Sequence, residues 1–423
     1  MGRPATPLSQ ELPPLILGTA TFNHQYNEDP FALPTTTIVH RALSSGIRAF
    51  DTSPYYGPSE ELLGRALNTD CVQRDFPRHT YRILTKVGRI AGSSFDYSPA
   101  FVRFSINRSL QRFGTNYLDV VYCHDVEFVS PQEVVGAVRE LRRIRDTEGT
   151  VRYIGISGYP VDVLCSLAEL VLKETGEPLD VVMSYANYTL QNTSLLTQGL
   201  HRLRAAGVDV VPNASLLGMG LLRNQGVPVG AHGEWHPAPN GLRSIIHKAS
   251  EWVNSRNEKL EKIAIRYGLE SWGQKGSSVG ASGHPLESVD PATAHLSTGQ
   301  RLGVSVLGVS SLQELEQCLQ IYREVLDSST IVTDDENKST LSPQLAEFVS
   351  SIRATLGPEW VDYAWPSPGA DFVNVLPDSH ASFLKEQVGY LSQNTHITAV
   401  AEKAENVTVN VDEVKEALTP PRA

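Results

Sequence analysis

The chain predicts a (β/α)8 barrel with an irregular insertion before its last strand and a C-terminal extension. Two observations carry this. Short apolar runs alternate with stretches of helical period eight times over, between residues 15 and 326. Three consecutive runs also end on reactive side chains, with Asp51 and then Tyr56 after the second, Lys86 ending the third and His124 the fourth. Parallel strands joined by helical crossovers need both faces covered, and eight such units suit a closed barrel.

Taken in order, Leu15-Ile-Leu-Gly18 reads as the first strand. Residues 36–46 follow as a helix with Ile38, Ala42 and Leu43 on one face. Strand 47–51 leads to helix 59–67, which begins at Ser59-Glu-Glu. Strand 81–86 pairs with helix 99–113, strand 117–123 with helix 131–146, and strand 152–156 with helix 161–174. Strand 179–184 precedes helix 194–206, and strand 208–212 precedes a long helical stretch at 244–268. Strand 303–308 and helix 311–326 complete the set. A doubly wound open sheet is the rival fold. It would want a G-x-G-x-x-G turn after the first strand, and Leu17-Gly-Thr-Ala-Thr21 has one glycine.

Two segments break the rhythm. Residues 274–301 are rich in Gly, Ser and His and read as a disordered insertion. Residues 1–374 would then form the barrel domain and 375–423 a tail, with helices at 381–393 and 408–418 and a loose Thr-Pro-Pro-Arg-Ala end.

Of 423 residues, 41% are apolar and 20% charged, ordinary for a globular protein. The net charge of −11 is spread along the chain and argues against nucleic acid and anionic membrane surfaces as partners. No run of 18 apolar residues exists, so no spanning helix is expected. The start, Met-Gly-Arg-Pro-Ala-Thr-Pro, lacks a secretory apolar segment. Cys71, Cys123, Cys165 and Cys318 are widely spaced and suggest no disulfide framework. A cytoplasmic location is the expectation.

In this barrel type, catalytic residues come from the carboxyl ends of several strands. Asp51, Tyr56, Lys86 and His124 all fall there. Tyr56 would be the acid/base. Its phenol titrates near 10 when free, and the Lys86 ammonium would favour the phenolate. Asp51 would hold Lys86, and His124 would orient a substrate oxygen. Such a set suits proton transfer coupled to hydride transfer, and a hydride needs a bound nicotinamide because no side chain carries one. Taken singly, each residue also has a structural reading: Tyr56 in a loop, Lys86 as a strand cap, Asp51 in a turn. His124 and Asp125, with Glu127, have a metal-set reading as well. Strand alternation would send 124 and 125 to opposite faces, so no metal is expected.

Asp51-Thr-Ser-Pro-Tyr-Tyr-Gly57, Thr85-Lys86-Val87, Asp119-Val-Val-Tyr-Cys-His124 and Gly155-Ile-Ser-Gly158 resemble the aldo-keto reductase family. Phe50–Ser59, Lys86-Val-Gly-Arg-Ile90 and His124-Asp-Val-Glu-Phe128 are most similar to its sugar-dehydrogenase branch, acting on D-arabinose or L-galactose. The resemblance covers about residues 14–270 and 303–330. It implies a catalytic tetrad of Asp51, Tyr56, Lys86 and His124. It further implies oxidation of an aldose at its anomeric carbon to the 1,4-lactone. D-arabinose comes first, as a step toward erythroascorbate, with L-galactose and L-fucose as alternates.

The resemblance also assigns a nicotinamide-nucleotide site. Gly18 and Thr19 end the first strand. Ser157 would meet the nicotinamide amide, where the family's following Asn is here Gly158. The pyrophosphate loop would be Ser215-Leu216-Leu217-Gly218-Met-Gly220-Leu-Leu222, in which Ser215-Leu216-Leu217 stands where the family usually has Ser-Pro-Leu. A stacking Tyr is replaced by Ala214, and Tyr185 would stack instead. The adenosine end would meet Leu307, Gly308, Val309, Ser310, Glu314 and Gln317. A 2′-phosphate wants Arg or Lys, and residues 308–318 contain none but hold Glu314 and Glu316. NAD is therefore expected over NADP. Phe22, Tyr55, Asp125 and Trp235, with His124, are the expected sugar contacts. Three readings stay open beside this one: an NADP-dependent carbonyl reductase, a non-catalytic cofactor-binding subunit, and an interaction protein built on the insertion or tail.

Overall fold

The computed structural model describes residues 2–227, 235–283, 300–327, 341–376 and the single residue 380. The chain divides into two units, Met1–Leu376 and Pro377–Ala423. The helices expected at 381–393 and 408–418 lie outside the described residues.

The first unit is a closed barrel of eight parallel strands. They are β1 (Leu15–Gly18), β2 (Ala49–Asp51), β3 (Arg82–Val87), β4 (Leu118–His124), β5 (Val151–Gly158), β6 (Val181–Tyr185), β7 (Asn213–Ala214) and β8 (Ser305–Gly308). Each pairs with the next, and β8 pairs back onto β1 with Gly308 beside Gly18. Helices Ser59–Leu67 and Pro99–Phe113 occupy the residues expected of them.

Parity along the strands explains where the reactive residues go. Ile16, Ala49, Leu84, Tyr122, Met183 and Val306 form a buried cluster separate from the one that packs strands against helices. These are the lumen-facing positions. Two residues later, on the same face, come Gly18, Asp51, Lys86, His124, Tyr185 and Gly308 at one rim. Ile83, Val121 and Cys123, one residue out of phase, join the outer cluster instead. The other end of the lumen is packed by Leu8 and Leu12, in and just after the short helix Leu8–Glu11.

Three elements differ from expectation. Strand 208–212 is displaced to Asn213–Ala214, because Pro212 has no N–H to give the ladder and Val210 joins Val181 only by an isolated bridge. The helical stretch at 244–268 is two helices, Asn240–Asn254 and Leu260–Lys275, separated by a turn with Asn257 at φ 58°. The start of the presumed disordered insertion is ordered. Helix Leu260–Lys275 runs into it, Ser277–Val279 is a 3-10 turn, and Ala281 bridges Leu302. Gly280 is there for close packing, since a Cβ would sit 2.1 Å from the Leu302 carbonyl oxygen. Residues 284–299 of that segment lie outside the described residues.

A helix at Pro343–Trp360 follows the last barrel helix, Leu312–Asp327. Beyond it, 361–376 runs across the rim. Asn374 brackets Phe95, accepting from its amide (2.8 Å) and donating to its carbonyl (2.9 Å).

Close strand packing gives one stability prediction. A Cβ on Gly155 would lie 2.1 Å from the Val181 carbonyl oxygen of β6. Gly155→Ala is expected to destabilise the barrel by about 3 kcal/mol, measured by urea unfolding, because two paired strands must part. A loss below about 0.5 kcal/mol would show that the pair relaxes freely.

Candidate active site

β2 ends at Asp51, and its loop carries Tyr55 and Tyr56 back across the rim. Lys86 Nζ donates to Asp51 Oδ1 at 2.7 Å and to the Thr52 carbonyl at 2.8 Å. The ammonium also lies 4.9 Å from the Tyr56 ring centroid. The Tyr56 and His124 rings meet edge-on with centroids 5.6 Å apart. Ser53 Oγ hydrogen-bonds His124 Nδ1 at 3.0 Å, which fixes the ring and leaves Nε2 for another oxygen. The four residues expected from the sequence are therefore together, all lining one cavity of about 490 Å³.

Electrostatics correct one expectation. Burial raises the Tyr56 phenol well above its ordinary value, the carboxylates of Asp51 and Asp125 push the same way, and Arg89 opposes them. Lys86 does not win, because its charge is already paired with Asp51. Tyr56 is thus a phenol, a proton donor, at neutral pH. Burial, reinforced by Lys86 and Arg89, pushes His124 well below its usual value, so its imidazole is neutral.

Asp125 is a second correction. Strand alternation would turn it away from His124, yet both line the cavity. The strand ends at His124, and Asp125 takes a left-handed backbone (φ 54°, ψ 61°) that swings its side chain inward. Its Oδ2 lies 3.5 Å from His124 Nε2. Glu127, two residues on, does not line the cavity. Burial and the nearby Asp125 push its carboxyl up to about 8, and Oε1 accepts from Ser367 Oγ at 3.0 Å.

Of the expected cofactor residues, Gly18, Ser157, Tyr185, Ser215, Leu216, Leu217, Gly220, Leu307, Gly308, Ser310, Glu314 and Gln317 line the cavity. Thr19, Gly158, Gly218 and Val309 do not. Thr19 is fully buried, its hydroxyl on the Asp51 carbonyl and Ser59. A Cβ on Gly158 would meet Glu127 Oε2 at 2.5 Å, so the carboxylate occupies the space an Asn side chain would need. Tyr55, Asp125 and Trp235 line the cavity as expected of sugar contacts, but Phe22 is fully buried in the core and makes no wall.

The loop after β7 fits a phosphate group. Ser215, Gly218, Met219 and Gly220 all have φ between 56° and 96°. The amides of Leu216, Leu217 and Met219 donate to no group among the described residues, and all three residues line the cavity. Successive amides left without an acceptor in such a loop suit an anion. At the far end, Glu314 accepts from the Ser310 amide at 2.7 Å. Glu316 is turned outward to an ion pair with Arg41 and takes no part. Cations absent from 308–318 arrive from elsewhere, since Arg223 and Lys262 line the same cavity and Arg223 lies 3.5 Å from Glu314.

Sequence reading missed Arg89, Tyr26, Trp365 and these two cations as cavity residues. Arg89 lay inside a quoted motif, Lys86-Val-Gly-Arg-Ile90, but nothing local told that its side chain returns to the mouth. Trp365, stacked on Tyr159 at 4.7 Å, comes from the crossing segment and has no local signature.

Comparison with known proteins identifies the family. The model of the Aldo/keto reductase family matches residues 14–336. The D-arabinose 1-dehydrogenase of Saccharomyces cerevisiae is 39% identical over 84% of this chain and 93% of that protein. The L-galactose dehydrogenase of Arabidopsis thaliana is 36% identical over 67% of this chain and 83% of that protein. A glycerol dehydrogenase structure from Gluconobacter oxydans shares the fold, with TM-score 0.54 and 18% identity, over 85% of this chain and 95% of that one. With a barrel closed as described and the family match spanning most of it, the chain belongs to the aldo/keto reductase family.

Proposed function

We propose that this protein oxidises an aldose, D-arabinose foremost, at its anomeric carbon to the 1,4-lactone with NAD as hydride acceptor. The observation that carries the reading is the Asp51–Lys86–Tyr56–His124 cluster in one cavity that Leu216, Leu217 and Met219, with their unpaired amides, also line. Likeness to the yeast and plant sugar dehydrogenases supports the substrate class.

A bound nicotinamide supplies the acceptor for the anomeric hydride. The side chains handle the proton. His124, neutral and held by Ser53, binds the anomeric oxygen and sets its angle. Tyr56 exchanges the hydroxyl proton at that oxygen. Lys86 and Asp51 hold one another beside Tyr56. Leu216, Leu217 and Met219 would hold the pyrophosphate through their amides, and Ser157 and Tyr185 would meet the nicotinamide end.

Direction and pH are linked. Oxidation needs the Tyr56 phenolate, and burial holds the phenol well above its ordinary value. The rate of sugar oxidation is therefore expected to climb with pH, about tenfold per unit, without a plateau below about pH 10. Carbonyl reduction, which uses the phenol, would show no such climb. A plateau near pH 7 for oxidation would mean that the proton goes elsewhere.

NAD is proposed because Glu314 would accept from a ribose hydroxyl and repel a 2′-phosphate. Arg223 and Lys262 favour the second reading, an NADP-dependent reductase on the same scaffold. Purified protein mixed with D-arabinose and either NAD+ or NADP+, followed by nicotinamide absorbance, separates them. Turnover with NAD+ supports the proposal. Turnover with NADP+ alone sinks the cofactor assignment. No turnover with either, across D-arabinose, L-galactose and L-fucose, sinks the sugar assignment.

A further inference from the structure

We propose that Arg89 and Asp125 form a subsite that reads the hydroxyl on the carbon next to the one oxidised. The site would thereby select 2-hydroxy aldoses over sugars lacking that group. This rests on the reading of the site as an aldose dehydrogenase.

The pair is built at some cost. Gly88 follows β3 at φ 99°, where a Cβ would fall 2.4 Å from the Tyr97 ring. The chain then doubles back as a small hairpin, Arg89–Ala91 against Ser94–Phe95. This returns Arg89 over the cavity. Its guanidinium stacks on Tyr55 at 3.8 Å from the ring centroid, donates to the Tyr55 hydroxyl at 3.0 Å and ion-pairs with Asp125. Asp125 reaches this place only through its left-handed backbone, a conformation that costs a non-glycine residue energy. A carboxylate with 2% side-chain exposure and a guanidinium with 16% are also poorer for stability than apolar side chains of the same volume. Strain and a desolvated ion pair, both on the cavity wall, point to a ligand rather than to folding.

Position then names the ligand. Asp125 Oδ2 is 3.5 Å from His124 Nε2, the atom left for the reacting oxygen. The two oxygens of a vicinal diol lie within hydrogen-bond distance of each other. An anomeric oxygen on His124 therefore brings the neighbouring hydroxyl beside the pair. That hydroxyl donates to the Asp125 carboxylate and accepts from Arg89, satisfying both of its capacities at once. A 2-deoxy sugar leaves both charged groups facing a C–H, a penalty polar sites turn into discrimination.

The test compares kcat/KM for D-arabinose and for its 2-deoxy counterpart in the full-length protein. The wild type is expected to favour D-arabinose by about 100-fold. Arg89→Met and Asp125→Asn are each expected to narrow that ratio by roughly tenfold or more, with Arg89→Lys falling between. The ratio is the readout because any effect on Tyr56, or any partial misfolding, lowers both rates alike and cancels. Nicotinamide-nucleotide affinity, followed by fluorescence quenching, shows that each variant is folded. Equal rates for the two sugars in the wild type, or an unchanged ratio in folded variants, would overturn the subsite alone. A wild type that oxidises neither these sugars nor 2-hydroxytetrahydropyran, a ring whose one hydroxyl is anomeric, would overturn the dehydrogenase reading itself.

Discussion

Tyr56→Phe is expected to lower kcat for sugar oxidation by about 1,000-fold or more, the usual worth of a positioned acid/base. The substitution removes one oxygen and keeps the ring that packs edge-on against His124 and under the Lys86 ammonium. Nucleotide affinity is thus expected to stay within about threefold, so the loss falls on kcat rather than on binding. The residual rate is also expected to lose its rise with pH, because the titrating phenol is gone. A variant with a tenth of wild-type activity would show that another group moves the proton. Among the described residues, the Tyr26, Tyr55 and Tyr185 hydroxyls share the cavity and would be the first to test.

Lys86→Met is expected to be both inactive and unstable, by about 3–5 kcal/mol in chemical denaturation at pH 8. Lys86 has 1% side-chain exposure and Asp51 6%, so the change strands a buried carboxylate. The strain on Asp51 is already visible. Burial raises its pKa above the ordinary value even with Lys86 present, and Oδ2 has no hydrogen-bond partner among the described residues. Sign follows from this. Without Lys86, Asp51 binds its proton more tightly still. The cost of the variant therefore shrinks as the pH falls and Asp51 takes the proton up, and grows as the pH rises. Lys86→Met with Asp51→Leu is expected to recover most of the stability and none of the activity. Recovery of activity in that double variant would show that the pair serves folding alone. Equal stability of single variant and wild type at pH 8 would show that water reaches Asp51 in place of the ammonium.

Much of this site was legible because it depends on parity. A strand repeats every two residues, so the positions that face the lumen are determined once one of them is buried there. Leu84 and Tyr122 point inward, and Lys86 and His124 must follow. Asp51 follows Ala49 in the same way. The reach of Tyr56 was readable too, as a loop residue five positions beyond a strand end. Local period and strand order thus carried the tetrad and the barrel.

What local period could not carry was decided by chain reversals and by distant segments. Asp125 breaks the alternation through one left-handed residue, and Arg89 returns through the turn at Gly88. Glu316 looked equivalent to Glu314 in sequence, but helix phase turns it to Arg41 on the outside. Phe22 looked like a loop contact and is core. Trp365 and Arg223 reach the cavity from elements whose own sequence says nothing of it. The phenol of Tyr56 shows the same limit in energy. The sequence alone determined that an ammonium and a phenol are neighbours. Only the tertiary structure decided that the ammonium is paired with Asp51 while burial outweighs the opposing charge of Arg89 at the phenol, because desolvation depends on every atom packed around a group and not on its place in the chain.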